Sequence, residues 1–177
     1  ILAFIRLAMR SLSLLVLLLF AVIVRTVTSS SPPTTQTLMK ELLANGTRLR
    51  FKSFNELYLT DDVDSSNIWA LPRQDWGRLQ EWIIEQVNDH EIALKSNRGY
   101  YIGHGKSDWA KQAQVANEWE MLTPVKNEDG SWSFKSRWNK WLSAHTKYEP
   151  QKFAVNFESE NRRCERWLLE PYTPPAD

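Results

Sequence analysis

The chain has 177 residues, 42% of them hydrophobic and 24% charged, with a net charge of +1. This is the composition of a globular domain with its own core, and the near-neutral balance excludes a general attraction to nucleic acid or anionic lipid. The single cysteine, Cys164, excludes an internal disulfide, so the fold rests on packing, for which nine tryptophans supply unusually large apolar surfaces.

Residues 1–30 read as a secretory signal. Met9-Arg10 lead into an apolar run from Leu12 to Val24, broken only by Ser13. That length suits an apolar signal helix better than a membrane span. Val27 and Ser29 fit the small positions of a cleavage site, and Ile1 to Ala8 precede the only early methionine. An uncleaved anchor is the alternative, and the only expected route to a membrane. Arg6, Arg10 and Arg25 lie in this segment; without them 19 basic residues face 21 acidic ones. Residues 31–45 form a linker, rich in Ser, Thr and Pro at first, and Leu38 to Leu43 could make a helical turn or two. Asn45-Gly46-Thr47 is a glycosylation sequon, which fits a secreted, extracellular protein.

From residue 46 the chain repeats. Phe51-Lys52-Ser53 through Tyr58-Leu59, Leu94-Lys95-Ser96 through Tyr101-Ile102, and Phe134-Lys135-Ser136 through Trp141-Leu142 align without a gap, their starts 43 and 40 residues apart. Each unit is expected to end alike, at Trp82, Trp119 and Trp167. Ile92, Leu94 and Tyr101 follow the period of a strand, and Asn97-Arg98-Gly99 offers the left-handed backbone of a hairpin turn. Asn55-Glu56 and Asn139-Lys140 stand at the same turns. Four short strands per unit suggest a propeller or a β-trefoil, and three units favour the trefoil, because propellers need at least four blades. The expected fold is therefore all-β, a single β-trefoil over residues 46–172 with units 46–90, 91–130 and 131–172, followed by a tail, 173–177. Its core layers would hold Trp82, Trp119 and Trp167, with Tyr58, Tyr101 and Trp141 at the hairpins.

The stretch Ile92 to Gly103, with Lys95-Ser96, the Gly99 turn and Tyr101-Ile102, resembles the fascin-like β-trefoils, including fascin and the FSHD region gene 1 protein. The resemblance spans roughly residues 46 to 172. It implies a trefoil and, by family habit, actin bundling or an intracellular partner role. Two features depart from that: the chain has room for one trefoil where fascin uses several, and a signal would remove it from the cytosol. A weaker resemblance is to the ricin-type lectins, whose units end in Gln-x-Trp. Gln80-Glu81-Trp82 fits, whereas Asn117-Glu118-Trp119 and Glu165-Arg166-Trp167 fit in part.

No catalytic constellation emerges, and no cofactor or metal is expected. His90, His104 and His145 lack metal-ligand spacing and read as surface or hairpin residues. A Ser-His-Asp arrangement is recognised only by geometry and stays open. Trp138, beside Arg137, Asn139 and Lys140 in the third hairpin turn, is the candidate ligand contact: an indole among polar donors can stack on a sugar or anchor a protein. Trp132 should face the core, and Trp69 and Trp109 should fold back onto the domain. Arg162, Arg163 and Arg166, among Glu158, Glu160 and Glu165, read as an ion-paired face, or alternatively a heparin or phosphate patch. Cys164 reads as a small buried group, or alternatively as the link of a disulfide-bonded dimer. The expected function is a secreted, non-enzymatic module that binds a protein through its loops. A lectin-like glycan binder is the alternative, or an actin-binding protein if the signal reading fails.

Overall fold

The computed structural model describes residues 41–74 and 78–172. The signal segment, most of the linker, Trp76 and the tail lie outside the described residues. Among the described residues, twelve strands fall into three quadruplets. The first is β1 (Arg48–Ser53), β2 (Tyr58–Asp61), β3 (Ile68–Leu71) and β4 (Trp82–Gln86). The second is β5 (Ile92–Ser96), β6 (Tyr101–His104), β7 (Ala110–Ala113) and β8 (Leu122–Lys126). The third is β9 (Trp132–Ser136), β10 (Trp141–Glu149), β11 (Lys152–Glu158) and β12 (Trp167–Pro171).

The first and fourth strands of each quadruplet close a barrel. β1 pairs with β4, β4 with β5, β5 with β8, β8 with β9, β9 with β12, and β12 with β1, all antiparallel. Closure leaves these six strands no free edge. The remaining strands form three hairpins, β2–β3, β6–β7 and β10–β11, that meet over one end. There β11 pairs with β3, and single bridges join Asn67 to Lys111 and Trp109 to Asn156. This is the β-trefoil.

The repeated segment is the corner where each barrel strand enters its hairpin. Lys52 pairs with Tyr58, Lys95 with Tyr101, and Lys135 with Trp141. Every corner turns on one left-handed residue, Glu56 (φ 63°), Gly99 (φ 91°) or Asn139 (φ 59°). Gly99 adopts it without strain and Asn139 at little cost, whereas Glu56 is held there by the same hydrogen-bonded frame. In each, the left-handed residue's N–H donates to the serine three residues back, Ser53, Ser96 or Ser136.

The core is layered about the pseudo-threefold axis. Phe51, Leu94 and Phe134 are fully buried equivalents, the two phenyl rings lying 5.2 Å apart. Leu59, Ile102 and Leu142 line the hairpin corners. Trp82 and Trp167 are completely buried, and their indole N–H groups donate to the Leu59 and Leu142 carbonyls at 2.9 and 3.0 Å. Trp132 is buried too, as alternation with Phe134 requires.

Two expectations about the core are corrected. Trp82 pairs with Ser96 and Trp167 with Ser53, but the residue paired with Ser136 is Leu122. The third member of that layer is therefore Leu122, and Trp119 stands outside it, half-buried. Its structural counterparts are Leu79 and Cys164: the carbonyls of Leu79, Trp119 and Cys164 each accept the N–H that closes a hairpin, from Asp61, His104 and Ala144. The second correction concerns Tyr58, Tyr101 and Trp141. Successive strand residues face opposite sides, so the aliphatic neighbour enters the core and the aromatic ring covers the outside of the corner. The Tyr58 and Tyr101 hydroxyls donate to Glu170 at 3.2 Å and Glu85 at 2.7 Å. In the third unit the partner position is Val125, and Trp141 has no hydroxyl to satisfy.

Candidate functional site

With the units correctly aligned, each ends in a polar residue, one intervening residue and an apolar one: Gln80-Glu81-Trp82, Glu120-Met121-Leu122 and Glu165-Arg166-Trp167. The polar member turns back against the hairpin of its own unit. In the first unit the Gln80 amide donates to Thr60 Oγ1 at 3.1 Å. In the third the Ser143 hydroxyl donates to Glu165 at 2.6 Å. In the second the facing residue is Gly103, and a Cβ built there would overlap Glu120 Oε1. One carboxylate oxygen thus stands uncovered where the other units hold a hydroxyl.

Glu120 is otherwise firmly seated. It is 5% exposed, and its Oε2 accepts the Asn117 N–H at 2.8 Å. Burial pushes its pKa up, against the lowering effect of backbone hydrogen bonds. Above it lies a groove of about 250 Å³ whose lining includes Gly103, His104, Lys106, Lys111, Gln112 and Trp119. Acceptor, donors and an indole converge there at the size of a small polar ligand.

One wall of the groove is fixed by His104, which is 4% exposed rather than at the surface. Its Nε2 lies 2.8 Å from Asp108 Oδ1 and its Nδ1 3.0 Å from Ser136 Oγ. An ionised carboxylate can only accept, so Nε2 carries a proton, and Nδ1 shares a hydrogen bond with the Ser136 hydroxyl. Phe157 stacks on the ring at 4.3 Å, and Lys140 donates to Asp108 Oδ2 at 2.5 Å. Those hydrogen bonds, from Lys140 first and His104 second, hold the Asp108 carboxyl below its usual range. The chain runs Ser-His-Asp, but the hydroxyl lies at its buried end and the carboxylate at its open end. What the arrangement does is fasten the second unit to the third. The same position in the first unit is Asp61, buried, accepting from Gln112 Nε2 at 2.7 Å, with its pKa raised by burial.

The third-hairpin residues gather beside this wall. Trp138 is 37% exposed and stacks on Trp119 with ring centroids 3.9 Å apart, its edge toward His104 at 5.3 Å. Arg137 is ion-paired with Glu118, Lys140 is committed to Asp108, and Asn139 serves as the left-handed turn residue. Arg137, Trp138 and Asn139 are exposed and Lys140 is half-buried, so Trp138 is the exposed apolar surface among the four candidate contacts. Trp69 is folded back, its indole donating to Asp62 at 3.0 Å, and Trp109 is half-buried. His145 is exposed. Asn45 is exposed at the opposite end of the barrel, its Oδ1 accepting the Gln86 N–H at 3.0 Å. Cys164 is half-buried, and burial raises its thiol pKa. Among the described residues no cluster of His, Cys, Asp and Glu could hold a metal ion.

The sequence reading missed Gly103, Glu120 and Asp108. The readable signal was the two-residue spacing from Glu120 to Leu122, identical to that from Gln80 to Trp82 and from Glu165 to Trp167.

No protein-family model matches the chain, and no curated protein matches it in sequence. Solved structures match its fold. The endo-β-galactosidase from Clostridium perfringens that releases GlcNAcα1-4Gal superposes with a TM-score of 0.63 at 16% identity, over 72% of this chain but only 33% of the enzyme. ThreeFoil, a designed threefold-symmetric protein, gives 0.61 at 17% identity, over 69% of this chain and 96% of the design. The cytolethal distending toxin from Actinobacillus actinomycetemcomitans gives 0.61 at 17% identity, over 74% of this chain and 94% of the toxin chain. The shared feature is the trefoil.

Proposed function

We propose that this domain is a non-enzymatic binding module that holds a sugar in the Gly103–Glu120 groove. The observation that carries the reading is the uncovered Glu120 oxygen beside Trp119. A buried carboxylate can accept from sugar hydroxyls, each bond to a charged acceptor being worth about 1.5–3 kcal/mol, and an indole offers the apolar face of a ring a surface. Two of three equivalent places in the trefoil are closed by an internal hydroxyl and one is open, which supports a ligand hydroxyl as its occupant. The C. perfringens neighbour, named for a sugar it releases, adds an analogy of fold only. The polar-x-apolar unit ends favour the ricin-type resemblance over the fascin-like one.

The test is titration of the described domain with galactose- and N-acetylglucosamine-terminated oligosaccharides, followed by calorimetry. Binding lost in Gly103→Ser, in which a hydroxyl fills the gap, supports the reading. Absence of any binder on a broad glycan array, or binding unaffected by Gly103→Ser, overturns it.

A protein partner is the second reading, favoured by the exposed surface of Trp138. A partner whose capture from extracellular material depends on Trp138, and not on Glu120, would replace the first. Export is part of the proposal, supported by the exposed Asn45 sequon. Its hydrogen bond runs through Oδ1 and spares the nitrogen that glycosylation modifies. A mobility shift on secretion that Asn45→Gln abolishes supports it; an unmodified intracellular protein overturns it.

A further inference from the structure

We infer that a second ligand site lies where the third unit meets the first, and that it takes a sugar carrying a sulfate or phosphate ester. Here a cleft of about 480 Å³ is lined by Phe54, Asp129, Arg162, Arg163, Arg166 and Leu168. Three guanidinium groups face one carboxylate in it. The Arg163 guanidinium stacks over the Phe54 ring at 4.8 Å, and among the described residues no carboxylate pairs with it. Arg166 Nη1 donates to Asp129 at 2.8 Å, while its Nε is buried without a partner among the described residues. Among the described residues the Arg162 side chain pairs with Glu160 alone, both side chains largely exposed, a pairing that contributes little and that an incoming anion can replace.

The other two junctions show what is unusual. The residues equivalent to Arg163 and Phe54 are Glu118 and Arg137 between the second and third units, where they neutralise each other. Between the first and second units they are Arg78 and Asn97. Of the three junctions, the one where the third unit meets the first has an arginine lying on an aromatic ring with no carboxylate partner among the described residues. A planar guanidinium so held is preorganised for a tetrahedral oxyanion. The ligand is more than a bare ion, because the cleft falls within the range of small-molecule sites and its floor includes Phe54 and the half-exposed Leu168. A sugar ring presents an apolar face to such a floor and carries the ester to the arginines.

The experiment titrates the full chain, by calorimetry and NMR, with N-acetylglucosamine 6-sulfate, N-acetylglucosamine 6-phosphate, plain N-acetylglucosamine and inorganic sulfate. One or both esters should bind, more weakly as salt rises, and the tighter of the two names the source. Arg163→Ala should weaken that binding about tenfold or more, the equivalent of one charge-assisted contact. Arg163→Lys should restore part of it and Phe54→Ala should weaken it, while Glu120→Gln leaves it unchanged. That last variant separates this site from the groove of the second unit. The inference falls if neither ester binds by about 10 mM, where affinity is negligible. It also falls if Arg163→Ala binds the esters like the parent, or if, in a chain whose second-unit groove is closed by Gly103→Ser, plain sugar or inorganic sulfate binds as tightly as the esters.

Discussion

Glu120 and Gly103 face one another at the point where the first unit joins Gln80 to Thr60 and the third joins Glu165 to Ser143. At that point a single missing side chain distinguishes the second unit from its two companions and opens one carboxylate oxygen of the buried Glu120 to the groove.

Gly103→Ser should close the groove without unfolding the domain. Gly103 is in an ordinary strand conformation, and the overlapping atom is the far end of a flexible side chain. Stability should stay within about 1 kcal/mol of the parent, since Gly gains little from a strand, and sugar binding should disappear. Urea melts beside calorimetric titration check both halves.

Glu120→Gln gives the second unit the polar residue of the first. The fold should be as stable as the parent at neutral pH, because an amide has no ionisation to suppress. The sign follows from the raised carboxyl: its stabilising contribution is present below the ordinary glutamate value and lost as pH rises through the raised one. Sugar affinity should run the other way, rising with pH as Glu120 ionises, and this dependence should vanish in the variant. A pH series of binding isotherms measures it.

Trp82→Ala and Trp167→Ala should each cost about 3–5 kcal/mol, the range for a truncated core aromatic. Leu122→Ala should cost about 2–5 kcal/mol, as a core leucine does. Trp119→Ala should fall below about 2 kcal/mol, nearer the ordinary range for a half-buried side chain. Equal denaturant midpoints for Trp119→Ala and Trp167→Ala would contradict the assigned layer.

Asp108 and Asp129 should make the domain acid-sensitive. Hydrogen bonds from Ser131 first and Arg166 next hold Asp129 down at about 2, while Lys140 and His104 lower Asp108. Both contribute stability above the ordinary aspartate value of about 3.9, lost as pH falls through the lowered ones. Asp108→Asn or Asp129→Asn should flatten that part of the stability curve. Both carboxylates are about half exposed, so 1 M salt should reduce the effect.

The fold was legible because corners repeat their chemistry. Lys-Ser, four residues and an aromatic-aliphatic pair require the same turn each time, and Gly99 marks it. The inward direction of Leu59 over Tyr58 follows from strand alternation, which the reading of the tyrosine as a core residue overlooked. The unit ends were not, because an indole that fills a core and one that stacks on a neighbouring indole look alike in sequence. Trp119 drew the alignment three residues away from Leu122. Gly103 was hidden for a different reason: a glycine at a hairpin suggests a turn, and only its contact with Glu120 shows that its bareness is what matters.

Asp61 accepts from Gln112 across the first junction and His104 meets Ser136 across the second, whereas Ala144 holds the equivalent place at the third and the Ser53 hydroxyl has no partner among the described residues. The ring is therefore buttoned twice and merely laid shut a third time, where the first and last strands meet. Breathing should begin at that hem, and a sugar ester held by Arg163 with its ring on Phe54 would stitch it, so that occupancy there is felt as resistance to unfolding throughout the trefoil.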